Sequence, residues 1–195
     1  MKKSDKLRRR HWSRKPLPRF LIVCEGTVTE PHYFRELRRL ERVPVDLDIR
    51  AGGVPKTLVE RAASANQSQF WCVFDIDEHP FVPEAKQQAR DNGIQVAVSN
   101  PCFEFWLLLH FQDQTAHIER DRVAHTCREH MPGYKKKPPC ETLAPHQQEA
   151  TARAIYLDNR QESNGNPGGN PSTGVYRLVQ QIKAVRESPT IRRGE

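Results

Sequence analysis

Acidic side chains stand at the ends of three apolar, strand-like runs. Glu25 follows Phe20-Leu21-Ile22-Val23-Cys24, and Asp75 and Asp77 close Phe70-Trp71-Cys72-Val73-Phe74. Glu104 lies just past Val96-Ala97-Val98-Ser99-Asn100. Open α/β sheets place ligands at their strand ends. Carboxylates gathered there repel one another, and a divalent cation held by oxygen ligands is the simplest reason for them to coexist. The chemistry this predicts is metal-assisted work on phosphate.

Each acid has its own logic. Asp75-Ile76-Asp77 alternates, so extended backbone turns both carboxylates to one side, with Glu78 pointing elsewhere. A solvated acidic turn is the alternative. Glu25 precedes Gly26, a residue that permits a sharp turn or a close approach. Glu25 there can ligate metal or pass protons, or it is an acid favoured by a helix start. Glu30, one helical turn on, reads as a ligand of a second metal or as another helix-start acid. Glu104 sits among Cys102, Phe103, Phe105 and Trp106, where a charge is costly unless paired or metal-bound. It is a ligand, the partner of a buried cation, or part of an exposed helix stripe.

Other polar groups are more ordinary. His110 reads as a cap on a helix C-terminus. Tyr134-Lys135-Lys136-Lys137 is a grip for the phosphate backbone or a solvated charge run. In Asn170-Pro171-Ser172-Thr173, Ser172 or Thr173 reads as a helix cap, with a polar role near the metal second. Cys127, His125 and His130 lack the paired spacing of a structural zinc site.

The elements that must position these groups alternate. Strands are expected at 19–24, 45–49, 70–75 and 94–98. Helices are expected at 30–42, with Thr29 as N-cap, then at 55–66, 82–92 and 102–111. Alternation of this kind builds βαβ units and a mostly parallel four-stranded sheet with helices on both faces. From about residue 113 the pattern turns helical, with helices at 115–130, 144–160 and 173–186, so an all-helical extension packed on the core is expected over 113–195, ending in a flexible tail. The α/β core then spans 19–112, and 1–18 forms a disordered basic arm.

Charge supports that division. Residues 1–19 hold nine Lys and Arg against one Asp, a net +8 within a chain of +7, so the remainder carries −1. Arg8, Arg9, Arg10, Arg14 and Lys15 suit a nucleic-acid backbone, or form a solubilising tail. The chain has 195 residues, 36% hydrophobic, with a mean hydropathy of −0.77. No run is apolar enough to span a bilayer, no secretion signal precedes the fold, and the five cysteines suggest reduced thiols in cytoplasm.

Several blocks together resemble the RloB-like proteins. They are Cys24-Glu25-Gly26-Thr27-Val28-Thr29-Glu30-Pro31-His32-Tyr33-Phe34, Val73-Phe74-Asp75-Ile76-Asp77-Glu78, and the run from Ser99 through Asn100-Pro101-Cys102-Phe103-Glu104-Phe105-Trp106 to Phe111. Tyr134-Lys135-Lys136 and Asn170-Pro171-Ser172-Thr173 resemble later blocks, so the likeness covers about 19–185. The resemblance implies a Toprim-like domain, with Glu25 after the first strand and Asp75 and Asp77 after a later one. It also implies a role in prokaryotic defence against phage or foreign DNA.

The expected function is thus a Mg2+- or Mn2+-dependent nuclease acting on RNA or DNA. Glu25, Asp75 and Asp77 are the metal and catalytic residues, with Glu30 and Glu104 as further ligands. Lys135 and Lys136 steady charge on the phosphate, and Lys137 and the arm contact nucleic acid. The alternative is a catalytically weak binding or regulatory subunit of a defence system, working with a partner protein. A phosphatase using Asp75 as nucleophile fits poorly, because Asp77 is followed by Glu78 and His79 and the pair follows a third strand.

Overall fold

The computed structural model describes residues 17–63, 69–76 and 82–187. Arg8, Arg9, Arg10, Arg14, Lys15, Asp77 and Glu78 lie outside the described residues. The chain runs β1 (Arg19–Cys24), α1 (Thr29–Leu40), β2 (Asp46–Ala51), α2 (Pro55–Ala63), β3 (Gln69–Asp75), α3 (Val82–Asp91) and β4 (Gln95–Asn100). It continues through α4 (Glu104–Leu108), α5 (Arg120–His130), α6 (Cys140–Leu143), α7 (Gln147–Ser163), β5 (Ser172–Thr173) and α8 (Val175–Glu187).

The sheet has five strands in the order β2-β1-β3-β4-β5. The first four are parallel, and β5 pairs antiparallel with the end of β4, Thr173 opposite Ser99 and Ser172 opposite Asn100. A fifth strand corrects the four expected. The correction arises in the block read as a helix cap. Ser172 and Thr173 are buried and the Thr173 and Ser99 hydroxyls bond at 2.9 Å, while Thr173 Oγ1 also accepts from the Val175 N–H at 3.4 Å, where the helix starts, so Thr173 serves strand and cap together. Two residues are too short for a period-two pattern to show in sequence.

Helices cover both faces, as the continuous apolar strands require. Leu21, Val23, Cys72 and Phe74 point toward α2 and α3, packing with Leu58, Val59, Ala62, Val82, Ala85 and Ala89. The alternate residues Phe20, Ile22, Cys24, Trp71 and Val73 face the other way, into a larger core. That core contains the apolar face of α1 and most of the helical extension, so extension and sheet share one interior. Its centre is α4, where Phe105, Trp106, Leu107 and Leu108 are all fully buried. A helix apolar all round must be enclosed, and α4 is.

Helix boundaries differ from expectation where polar groups intervene. Thr29 is not the N-cap of α1; Val28 holds that place without a side-chain bond. The chain turn ahead of the helix is closed instead by Glu30, whose Oε1 accepts from the Gly26 N–H at 2.9 Å. α5 begins at Arg120 rather than 115, because Ile118 is held in an extended approach by Asn170. α7 begins at Gln147, after a 3₁₀ turn at Ala144–His146 that contains Pro145, which has no N–H to donate. Among the described residues no helix is long and apolar enough to cross a membrane. All five cysteines are buried free thiols.

Candidate functional site

β1 and β3 are neighbours, yet β1 connects onward to β2 on one side while β3 connects to β4 on the other. Chain direction across the sheet therefore reverses between them, and such a switch point opens a crevice beyond the strand ends. Glu25 and Asp75 flank it. The Glu25 N–H donates to the Val73 carbonyl at 2.9 Å, extending the ladder by one residue. The Asp75 N–H donates in turn to Glu25 Oε2 at 3.1 Å. Two of the three expected catalytic acids are thus joined at the strand ends.

Alternation sets the direction of Asp75. It lies two residues past Val73 and so turns toward the larger core, the face of α1, α4 and α5. Those helices deliver Glu30, Glu104 and Arg120. Burial pushes the Asp75 carboxyl well above the ordinary carboxylate range; Glu30, Glu25 and Glu104 push it further, and Arg120 pulls it back. Burial likewise raises Glu30, with Glu104 and Glu25 adding to the effect against the bond from Gly26. Four carboxylates therefore feel one another at one crevice.

Each is nonetheless engaged locally. Glu30 is 6% exposed, its carboxylate seated on the Gly26 N–H. A Cβ on Gly26 would overlap that carboxylate, which is why glycine stands there. Glu25 accepts from the Asp75 backbone. Asp75 Oδ2 is bridged by Arg120 Nη2 at 2.7 Å. Glu104 Oε1 accepts from the Tyr134 hydroxyl at 3.4 Å, and the thiol of Cys127 donates to the Glu104 carbonyl at 3.4 Å. Among the described residues no group of three or more His, Cys, Asp or Glu is set up to hold an ion as the side chains stand. The donor chemistry is still that of a hard divalent cation, being carboxylate oxygen throughout.

The remaining expected residues are placed as follows. Tyr134 turns inward and is buried, while Lys135, Lys136 and Lys137 are exposed beside it. His110 is 1% exposed, its Nδ1 bonded to the Trp106 carbonyl at 3.0 Å, so it does satisfy the end of α4. Cys127 is buried against Glu104, whereas His125 pairs with Glu129 and His130 stacks on Phe111 and contacts Gln112. The three do not converge.

Two residues escaped the sequence reading. Arg120 carries no motif that separates it from the other Lys and Arg among 31. Asn170 stands in a block whose expected cap lies at Ser172 or Thr173, and its own role is different. Its Oδ1 accepts from the Ile118 N–H at 3.0 Å and its Nδ2 donates to the Ile118 carbonyl at 2.9 Å. This two-point bracket sets the chain just before Arg120. Asn100 matches it at the other Asn-Pro step, donating to the Gly168 carbonyl at 3.0 Å.

The seat of Glu30 predicts a contrast between two substitutions. Glu30→Ala leaves the Gly26 N–H without its acceptor and is expected to cost about 1–3 kcal/mol in denaturant unfolding without divalent cation. Glu30→Gln keeps an oxygen there and removes a repelled charge, so its stability should equal or exceed that of wild type. A Gln variant as unstable as the Ala variant would show that the charge, not the acceptor, holds the turn.

The fold and crevice define a class: a doubly wound α/β protein with an acidic strand-end site completed by a helical extension. The family model of the RloB-like proteins matches residues 20–182, and the chain belongs to that family. No curated protein and no solved structure matches it.

Proposed function

We propose that this RloB-like protein is a Toprim-like, Mg2+- or Mn2+-dependent nuclease that hydrolyses phosphodiester bonds of RNA or DNA in prokaryotic defence. The observation that carries the reading is the gathering of Glu25, Glu30, Asp75 and Glu104 at the switch point, with Asp75 and Glu30 displaced toward protonation. Folding does not create such repulsion without a use for it, and perturbed acids cluster at functional sites.

In this reading Glu25, Asp75 and Asp77 would hold the ion, with Glu30 and Glu104 as further ligands. A bound divalent ion polarises a phosphodiester and lowers the pKa of an attacking water. Glu25 orients the Asp75 backbone through its hydrogen bond and is placed to pass protons. Lys135 and Lys136, exposed beside Tyr134, would meet charge on the phosphate, and Lys137 the neighbouring backbone. Arg8, Arg9, Arg10, Arg14 and Lys15 would add salt-dependent affinity. The protein then works in cytoplasm on nucleic acid, with or without a defence partner.

A second reading has one observation in its favour. The carboxylates are individually engaged and Asp75 is bridged by Arg120, as in a binding or regulatory module with a weak site. Labelled RNA and DNA incubated with Mn2+, Mg2+ or chelator separates the two. Cleavage that needs the cation is the expected result. Gel-shift binding with intact substrate under every cation would select the binding module instead.

A further inference from the structure

We propose that a cleft on the α3 side of the sheet binds a nucleotide, its phosphate on Lys86 and its base on the apolar floor that β4 provides. The inference goes beyond the nuclease reading and does not rest on it. The cleft measures about 200 Å³ and lies on the face of the sheet opposite the four carboxylates. Ile76, Val96 and Val98 form its floor. All three are only half-buried, although β4 runs between two other strands. Strands so placed are normally covered on both faces. Here the chain leaves β4 for α4, which enters the larger core on the other side, so the helix after β4 does not lie over this floor.

Lys86 carries the assignment. It comes from α3 and is half-buried, with Nζ turned onto the loop wall, 3.5 Å from where a Cβ on Gly168 would stand. Asn100 fixes that wall by donating to the Gly168 carbonyl at 3.0 Å. Among the described residues the ammonium has no hydrogen-bond or ion-pair partner. Asp158, whose charge reaches it from α7, is already held by Arg177 at 2.6 Å and by the Tyr176 hydroxyl at 2.9 Å. Burial, with Arg90 and Arg177 adding, pulls Lys86 below the ordinary lysine range, and Asp158 opposes only in part. A cation drawn half out of water without a partner is costly, and a bound anion removes that cost. Ser172 lines the same cleft, and among the described residues no hydrogen bond engages its hydroxyl. Cation and hydroxyl suit a phosphate, the floor suits a base, and Asp158 and Glu162 on the α7 wall suit the amino groups of a base. The volume is below the roughly 300–1,000 Å³ of sites for larger ligands, so it admits one nucleotide rather than a dinucleotide cofactor. That nucleotide is free or one unit of a strand, since Ile76 directly follows Asp75 at the end of β3.

The test uses the full chain in chelator, so that no divalent ion loads the acidic crevice. Acetic anhydride labels the lysines, and mass spectrometry compares Lys86 with Lys56, which is exposed on α2. At about ten times its Kd, adenosine monophosphate should slow acetylation of Lys86 about tenfold and leave Lys56 unchanged. In equilibrium dialysis, Lys86→Ala should weaken adenosine monophosphate by at least about tenfold and adenosine by less than twofold, as expected for one bond to a charged group. Ser172→Ala should weaken the monophosphate about threefold. Inorganic phosphate, which cannot use the floor, should bind at least about tenfold more weakly than the monophosphate. A short single-stranded RNA separates the two sources. Protection at lower concentration than the monophosphate makes the cleft a subsite for a strand, and protection by the monophosphate alone makes it a site for free nucleotide. A monophosphate that leaves Lys86 unprotected overturns the assignment whatever the RNA does, and so does inorganic phosphate that binds as well as the monophosphate.

Discussion

Asp75→Asn is expected to lower Mn2+-dependent cleavage by roughly a thousandfold, the several kcal/mol that a metal-held site supplies to the transition state. It is also expected to raise the thermal midpoint in chelator. Asparagine is nearly the same size and keeps one oxygen for the Arg120 donor. It removes a charge that burial, Glu30, Glu25 and Glu104 all disfavour. The sign follows from linkage. A carboxyl whose folded pKa lies above its unfolded value favours the fold below the unfolded pKa, and loses that advantage as pH rises through the folded value. At neutral pH the charge is therefore a burden on wild type. Replacing the charge-assisted bond from Arg120 by a neutral one gives back part of that gain. A net gain of about 1 kcal/mol corresponds to roughly 2–4 °C for a chain of this size. A variant that loses cleavage and also melts lower would mean that Asp75 is structural, and the loss of activity would carry no mechanistic weight.

That trade between stability and site explains what the sequence made visible. β1 and β3 were legible because strands covered on both faces read as unbroken apolar runs, Phe20 to Cys24 and Phe70 to Phe74. Their terminal acids were legible because a charge directly after such a run is out of place. Strand order was not legible, since nothing in local pattern says that β1 sits between β2 and β3. Yet that order is what makes neighbours of Glu25 and Asp75, fifty residues apart. Glu30 was half legible: its position in a first turn was plain, but its burial depends on the Gly26 turn folding back onto it.

The helical extension was the least legible part of the site. Arg120 acts across 45 residues of sequence from within a polar helix, and Asn170 across 52 residues from a Pro-containing loop. Long-range polar contacts of this kind leave no period and no spacing. Tyr134 shows the same limit. Its basic neighbours drew attention as a charge run, whereas the ring itself is turned inward against Glu104.

Acidification from pH 7 to 4 should act on the fold through His110 in the opposite direction to Asp75. His110 ends α4 in the larger core, with its Nδ1 on the Trp106 carbonyl and its Nε2 buried without a partner among the described residues. Burial pulls its pKa down to about 4, with the bond to the Trp106 carbonyl opposing and His146 adding a little. The folded protein thus keeps His110 neutral while the unfolded chain takes up a proton near pH 6.5. Stability is unaffected above that value, falls as pH drops from about 6.5 to 4, and loses no more from this group below 4. The difference of pKa values corresponds to about 3 kcal/mol. Asp75 and Glu30 gain protons over part of the same range and favour the fold, so the raw pH profile of wild type mixes both signs. Subtraction separates them. His110→Gln cannot take up a proton, so denaturant unfolding of the variant should lack the loss between pH 6.5 and 4, whatever its stability at pH 7. Parallel profiles for variant and wild type would mean that His110 is protonated in the folded core, and its neutral seat at the end of α4 would have to be abandoned.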